Sequence, residues 1–167
     1  MKRLLFSALL VLPFCAYAAH GPDAAFYNHA AERGISEVEL GNLALQKSED
    51  AAVKEFAAQM VKDHSVVNGN LRFVAGSKSI TLPTKANARQ TATKAKLEVL
   101  SGSKFDKSYI KDMVRDHEKD IADFRREVAS GEDPDAKAFA IAALPSLEEH
   151  LQEVRSIARK SHLAASR

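Results

Sequence analysis

Met60-Val61-Lys62-Asp63-His64 returns 53 residues later as Met113-Val114-Arg115-Asp116-His117. Each copy sits where apolar residues recur at steps of three and four, the spacing of one face of a helix. Around the first copy, Val53, Phe56, Met60, His64, Val67, Leu71 and Val74 form a continuous stripe. Around the second, Tyr109 or Ile110, then Met113, His117, Ile121, Phe124 and Val128, do the same. In both stripes the histidine takes an inward position. The repeat predicts two related helical hairpins joined into a four-helix bundle, with His64 and His117 facing each other at one depth.

The remaining helices read outward from these two. From Ala24 to about Lys47 the composition is helical, with Ala31, Ile35, Val38 and Leu45 spaced for one inner face and Leu40 and Leu43 on another side. Gly34 and Gly41 soften that helix. Ser48-Glu49-Asp50 is short enough only for an antiparallel turn. The stretch from Gly76 to Pro83 is a loop that crosses from one hairpin to the other, and a weaker third helix follows from about Lys85 to Leu100. Ser103 and Asp106 have capping-box spacing at the start of the fourth helix. Asp133-Pro134 opens the last one with an N-cap and a proline at the first helical position. Pro145 should kink or break that helix, and Ser146 with Glu149 would cap a fresh start. On this reading the C-terminal helix is an addition at the side or end of the bundle, and its inner face carries Leu147, His150, Leu151, Val154 and Ile157.

A length of 167 residues suits one domain, and 46% hydrophobic with 28% charged content is ordinary for a soluble globular chain. Lys2 and Arg3 precede an apolar run from Leu4 to Val11, followed by Pro13 and Ala16-Tyr17-Ala18. That is the layout of a Sec-type signal peptide over residues 1–18, leaving one helical domain over 19–167. The run is shorter than the ~20 residues of a membrane span. No second such segment follows, so the expected mature protein has no span and works in the periplasm or outside the cell. The single cysteine, Cys15, leaves with the leader. Disulfides, thiolate ligands and a cysteine nucleophile are thereby excluded from the mature chain. Losing Lys2 and Arg3 from the 24 basic residues balances the 22 acidic ones, which argues against nucleic acid as a partner.

Several stretches together resemble a family of secreted, ferritin-like bundles of unknown function, many of them labelled predicted outer-membrane proteins. The resemblance spans about Phe26 to Arg159. It rests on Glu37-Val38-Glu39-Leu40-Gly41, Phe56 to His64, Phe105-Asp106 with Tyr109, Met113 to His117, and Leu144 to Leu151. It implies an all-α, ferritin-like four-helix bundle and an exported protein, and it supplies no activity.

The histidines carry the sharpest chemical signal. A di-iron bundle takes a glutamate from each of two helices and a Glu-x-x-His from each of the other two. Here Val61 and Val114 stand three before His64 and His117, and the 53-residue offset from Glu37 and Glu39 lands on Gln90 and Ala92. A di-iron site is therefore disfavoured. A mononuclear site fits better: His64, His117 and His150 come from three helices, and three imidazoles with one carboxylate or water suit Zn or Cu. Glu39, flanking the apolar face of the first helix, is the expected carboxylate, with Glu37 directed further away. Met60 and Met113, one turn from two of the histidines, offer a thioether alternative for copper(I). The competing reading is a buried hydrogen-bonded network that holds no ion. Asp63 and Asp116 read either as orienters of the imidazoles or as surface acids.

No serine or cysteine nucleophile with its base and no phosphate-binding glycine loop is present. The chain therefore reads as a non-catalytic binding or stress-protection protein. The alternative is a metal-dependent oxidoreductase or detoxifying protein built on the histidine cluster. Leu40 and Leu43 offer an apolar side for a homodimer or a periplasmic protein partner.

Overall fold

The computed structural model describes residues 23–165. The leader expected over 1–18 lies outside the described residues. Five helices follow in order: α1 (Ala24–Lys47), α2 (Ala51–Ser77), α3 (Ala88–Glu98), α4 (Gly102–Ser130) and α5 (Pro134–Ala165). No strand occurs among the described residues. α1 pairs along α2, α4 pairs along α5, and the two hairpins meet through α2 with α5 and α1 with α4.

Helix direction follows from the two apolar clusters that fill the interior. One contains Phe26, Tyr27, Leu71, Ala75, Ile121, Phe124, Ala136 and Phe139. The other contains Leu40, Ala44, Val53, Phe56, Phe105, Tyr109, Val154 and Ile157. The start of α1 thus lies level with the ends of α2 and α4 and with the start of α5. α2 and α4 run one way, α1 and α5 the other, and all four packed pairs are antiparallel. Since α2 and α4 are parallel, the chain between them must travel back along the bundle, and α3 lies in that return.

The all-α bundle expected from the repeat is present, but two helices exchange roles. α5 is a full wall of the bundle, and the added helix is α3. The reason is apolar surface: α3 has 11 residues and buries only Leu97, whereas α5 has 32 residues. Polar bonds tether α3 instead, from Asn87 to Glu32 at 2.9 Å and from Lys94 to Glu39 at 3.0 Å. The repeated pentapeptide consequently relates α2 to α4 across the bundle axis, not one hairpin to the next.

Local chemistry explains most boundaries. Asp50 caps α2 by accepting from the amides of Ala52 and Val53. A capping box forms at Asn87 and Gln90. The box expected at Ser103 and Asp106 does not form, because α4 starts earlier, at Gly102 after Ser101. Asp133 accepts from the Asp135 amide at 2.9 Å, as its place before Pro134 requires. Pro145 does not break α5. Pro145 and Ile141 are both on the exposed side, so water reaches the carbonyl that loses its helical donor.

The face of α1 also differs from expectation. Ile35, Val38 and Leu45 are only partly covered, and the buried line is Ala30, Gly34, Glu37, Gly41 and Ala44. Here α1 and α2 approach closely: a Cβ on Gly41 would meet Val61 Cγ2 at 2.8 Å, and one on Gly34 would run into Asn68. Small residues mark this seam, so hydrophobicity alone misplaces it. The same rotation buries Leu40, at 1% exposure, and packs Leu43 against the core, which removes the apolar partner surface expected there.

Candidate metal centre

Neither apolar cluster includes a histidine. His64, His117 and His150 fill the layer between them, at 3%, 0% and 1% exposure. They arrive from α2, α4 and α5, each placed inward by the stripe of its helix. Ring centroids are 5.6 Å apart for His64 and His117, 5.3 Å for His64 and His150, and 5.6 Å for His117 and His150. One ring nitrogen from each lies within 4.8 Å of the other two.

Neighbouring groups fix the tautomers. His117 Nδ1 donates to the Met113 carbonyl at 3.0 Å, the carbonyl one turn earlier in its own helix. His150 Nε2 donates to Asp63 Oδ2 at 3.0 Å, tying α5 to α2. The other nitrogen of each ring, His117 Nε2 and His150 Nδ1, then carries a lone pair, and both are buried without a partner. His64 Nε2 is also buried and unpartnered. Burial, together with the neighbouring imidazoles His117 and His150, holds His64 well below the ordinary histidine range. Burial and His150 push His117 down to about 4 against the pull of the Met113 carbonyl and Asp116. Both are therefore neutral near pH 7, the form that binds a metal.

Three buried ring nitrogens without a partner, one on each helix, are costly to leave bare. Three imidazoles this close could serve as the donor set of an ion site. Around an ion bonded at about 2.0–2.1 Å, such nitrogens sit roughly 3.4 Å apart, so a modest closing of the present triangle would seat one.

The fourth expected residue is elsewhere. Glu39 pairs with Lys94 and is 40% exposed. Glu37, read as the outlying acid, is the buried one, at 2% exposure with Oε2 unpartnered. Burial and the carboxylates of Asp120 and Asp116 push it well above the ordinary range. Its place in the Gly34–Gly41 seam was the available signal. Of the two acids beside the histidines, Asp63 holds an imidazole, though that of His150 in place of its neighbour His64; Asp116 pairs with Arg115. Met60 and Met113 are fully buried in the apolar cluster of Phe56 and Tyr109.

Fold and centre together define a class: all-helical bundles with a buried histidine layer. Within it, the chain belongs to the DUF4142 family, a domain of unknown function, whose family model matches residues 14–157. No curated protein matches the chain. Solved structures show the same fold at low identity. A DUF305 fragment from Deinococcus radiodurans has TM-score 0.74 at 12% identity, covering 86% of this chain and 99% of that one. A DUF305 protein from Streptomyces coelicolor has TM-score 0.70 at 16% identity, with 84% and 93% covered. CopM in a Cu(II)-bound form has TM-score 0.67 at 14% identity, with 83% and 96% covered.

Proposed function

We propose that this protein is a periplasmic or secreted metal-binding bundle holding one copper(I) ion on His64, His117 and His150, without catalytic turnover. The observation that carries the reading is the convergence of three buried imidazoles, one per helix, which bring ring nitrogens within 4.8 Å of one another while each ring keeps one nitrogen without a partner. Copper(I) accepts three imidazoles without a further ligand, whereas zinc requires a fourth. The cost of burying an ion also rises steeply with its charge, which favours a monovalent ion in an apolar layer. CopM, similar in fold, is known in Cu(II)-bound and Ag-bound forms, which favours a copper-group metal, and the silver form is a bundle of this fold with a soft metal of the kind copper(I) is. Burial of all three rings favours storage or sequestration over an oxidoreductase, whose substrate must reach the metal. The signal-peptide layout of residues 1–18 is in keeping with export.

Anaerobic titration of the mature protein with copper(I) against a chromophoric chelator tests the proposal. One equivalent should bind, and His117→Ala should abolish it. One equivalent of zinc with copper(I) refused would replace the metal and keep the site. Binding of neither ion, or binding untouched by His117→Ala, would overturn the reading.

A further inference from the structure

A separate cleft of about 210 Å³ opens between α1, α3 and α4. That is ample room for several waters or one small polar molecule. Its lining is polar, and its unpaired charges differ in burial; Glu32, also in the lining, accepts from Asn87. Inside lie Glu37, 2% exposed with Oε2 unpartnered, and the carboxylates of Asp116 and Asp120. Arg89 and Lys119 also line it, the first exposed and the second half-buried, and neither makes an ion pair among the described residues.

The paired residues show what this arrangement selects. Arg33 is held by Asp120 at 2.5 Å and Asp123 at 2.7 Å, and Arg115 by Asp112 at 2.7 Å and Asp116 at 3.0 Å. These guanidiniums are committed, so Glu37 keeps a buried oxygen with no donor. A simple anion would find carboxyl groups inside, and a metal cation would find guanidiniums already on Asp116 and Asp120. A molecule carrying a positive donor at one end and a carboxylate at the other satisfies both the buried acid and the outer cations.

We propose that this cleft is a second ligand site, for a small zwitterion of amino-acid size, with its ammonium on Glu37 and its carboxylate on Arg89 and Lys119. A bound ammonium supplies the counter-charge that burial and two neighbouring carboxylates deny Glu37. The site is independent of the histidine layer and of any metal there.

The test is an amide chemical-shift titration of the mature protein with 4-aminobutyrate and L-serine, beside acetate and ethylammonium as single-charge controls. A zwitterion should produce saturable shifts at Ser36, Gln90 and Thr93, and both controls should bind more weakly. Glu37→Gln removes one charged partner and should weaken binding about ten-fold or more. An Arg89→Ala, Lys119→Ala double variant, altered only at partly solvated residues, should do the same without touching the core. His64→Ala should leave binding unchanged. Acetate binding as tightly as the zwitterions would overturn the proposal in favour of an anion site. No saturable shift with either zwitterion at millimolar concentrations would overturn it outright, as would binding that survives both the Glu37 and the rim variants.

Discussion

The histidine layer sets metal binding against stability at the level of single side chains. Three buried ring nitrogens lack partners, and each unmade hydrogen bond costs on the order of 1–3 kcal/mol. A residue kept only for folding would not carry that cost. Replacing His64 by leucine removes one orphaned nitrogen and keeps an apolar group of similar bulk. In chelator, His64→Leu should match the wild type in denaturant unfolding or exceed it by about 1 kcal/mol, while copper(I) binding disappears. A large loss of stability, with metal binding retained, would mean that the ring serves the core. The three histidines were legible because they interrupt apolar stripes, whereas Asp63 read equally as an orienting acid or a surface one, and the structure makes it the former. Which imidazole Asp63 orients was not legible, since that depends on how α5 lies against α2.

At the level of helices, close approach is the property that sequence periodicity records least well. The α1 and α2 seam is built from Ala30, Gly34, Gly41 and Ala44, which score low on any apolar count, so Ile35, Val38 and Leu45 drew the inner face to the wrong side. The same glycine substitution should therefore have opposite signs in two places. Gly41→Ala places a Cβ at 2.8 Å from Val61 Cγ2 and 3.1 Å from the Ala57 carbonyl, and should destabilise by about 1–3 kcal/mol before the gain in helix propensity. Gly69→Ala in α2 meets nothing nearer than Arg72 at 3.9 Å and should stabilise by about 0.5–1 kcal/mol. Thermal unfolding of the two variants decides it. Equal shifts of the same sign would mean that the seam is looser than described. Pro145 makes a related point: its effect on a helix depends on whether water can reach the orphaned carbonyl, which burial decides and sequence position does not.

For the molecule as a whole, the bundle and its central histidines follow from the repeat. The exchange of roles between α3 and α5 escapes a reading of the sequence although the third helix is visibly poor in apolar residues, because the repeat suggests two equivalent hairpins where it relates α2 to α4. That arrangement joins the start of α1 to the turn between α4 and α5. Asp23 Oδ2 accepts from the amides of Glu132 at 3.0 Å and Asp133 at 2.5 Å, and Tyr27 donates to Asp133 at 3.0 Å. Glu127 lies against this acidic knot; burial and the carboxylate of Asp23 push it from 4.5 up to about 7. The folded state therefore holds the Glu127 proton more tightly than the unfolded chain does. Its contribution to stability is complete below pH 4.5 and lost as pH rises through 7. The lowered His64 and His117 act in the other sense: their contribution is complete above pH 6.5 and is lost as pH falls, for His117 as it passes about 4. The two slopes oppose each other in mild acid. Above pH 6.5 the histidine contribution is complete, and Glu127 with Asp120, also raised to about 7, makes stability decline toward pH 8. Glu127→Gln keeps a neutral side chain at all pH values and should remove the Glu127 share of the pH dependence, on the order of 1–2 kcal/mol over the whole range from pH 5 to 8 given the water that reaches this end of the bundle, with less than about 1 kcal/mol of it above pH 6.5. Denaturant unfolding from pH 5 to 8, in chelator so that no metal competes with the histidines, measures it. Parallel curves for variant and wild type would place the Glu127 proton elsewhere, and the polar contribution at this end of the bundle would then rest on Asp23, the Tyr27 hydroxyl and the Lys78 pairs with Asp133 and Asp135.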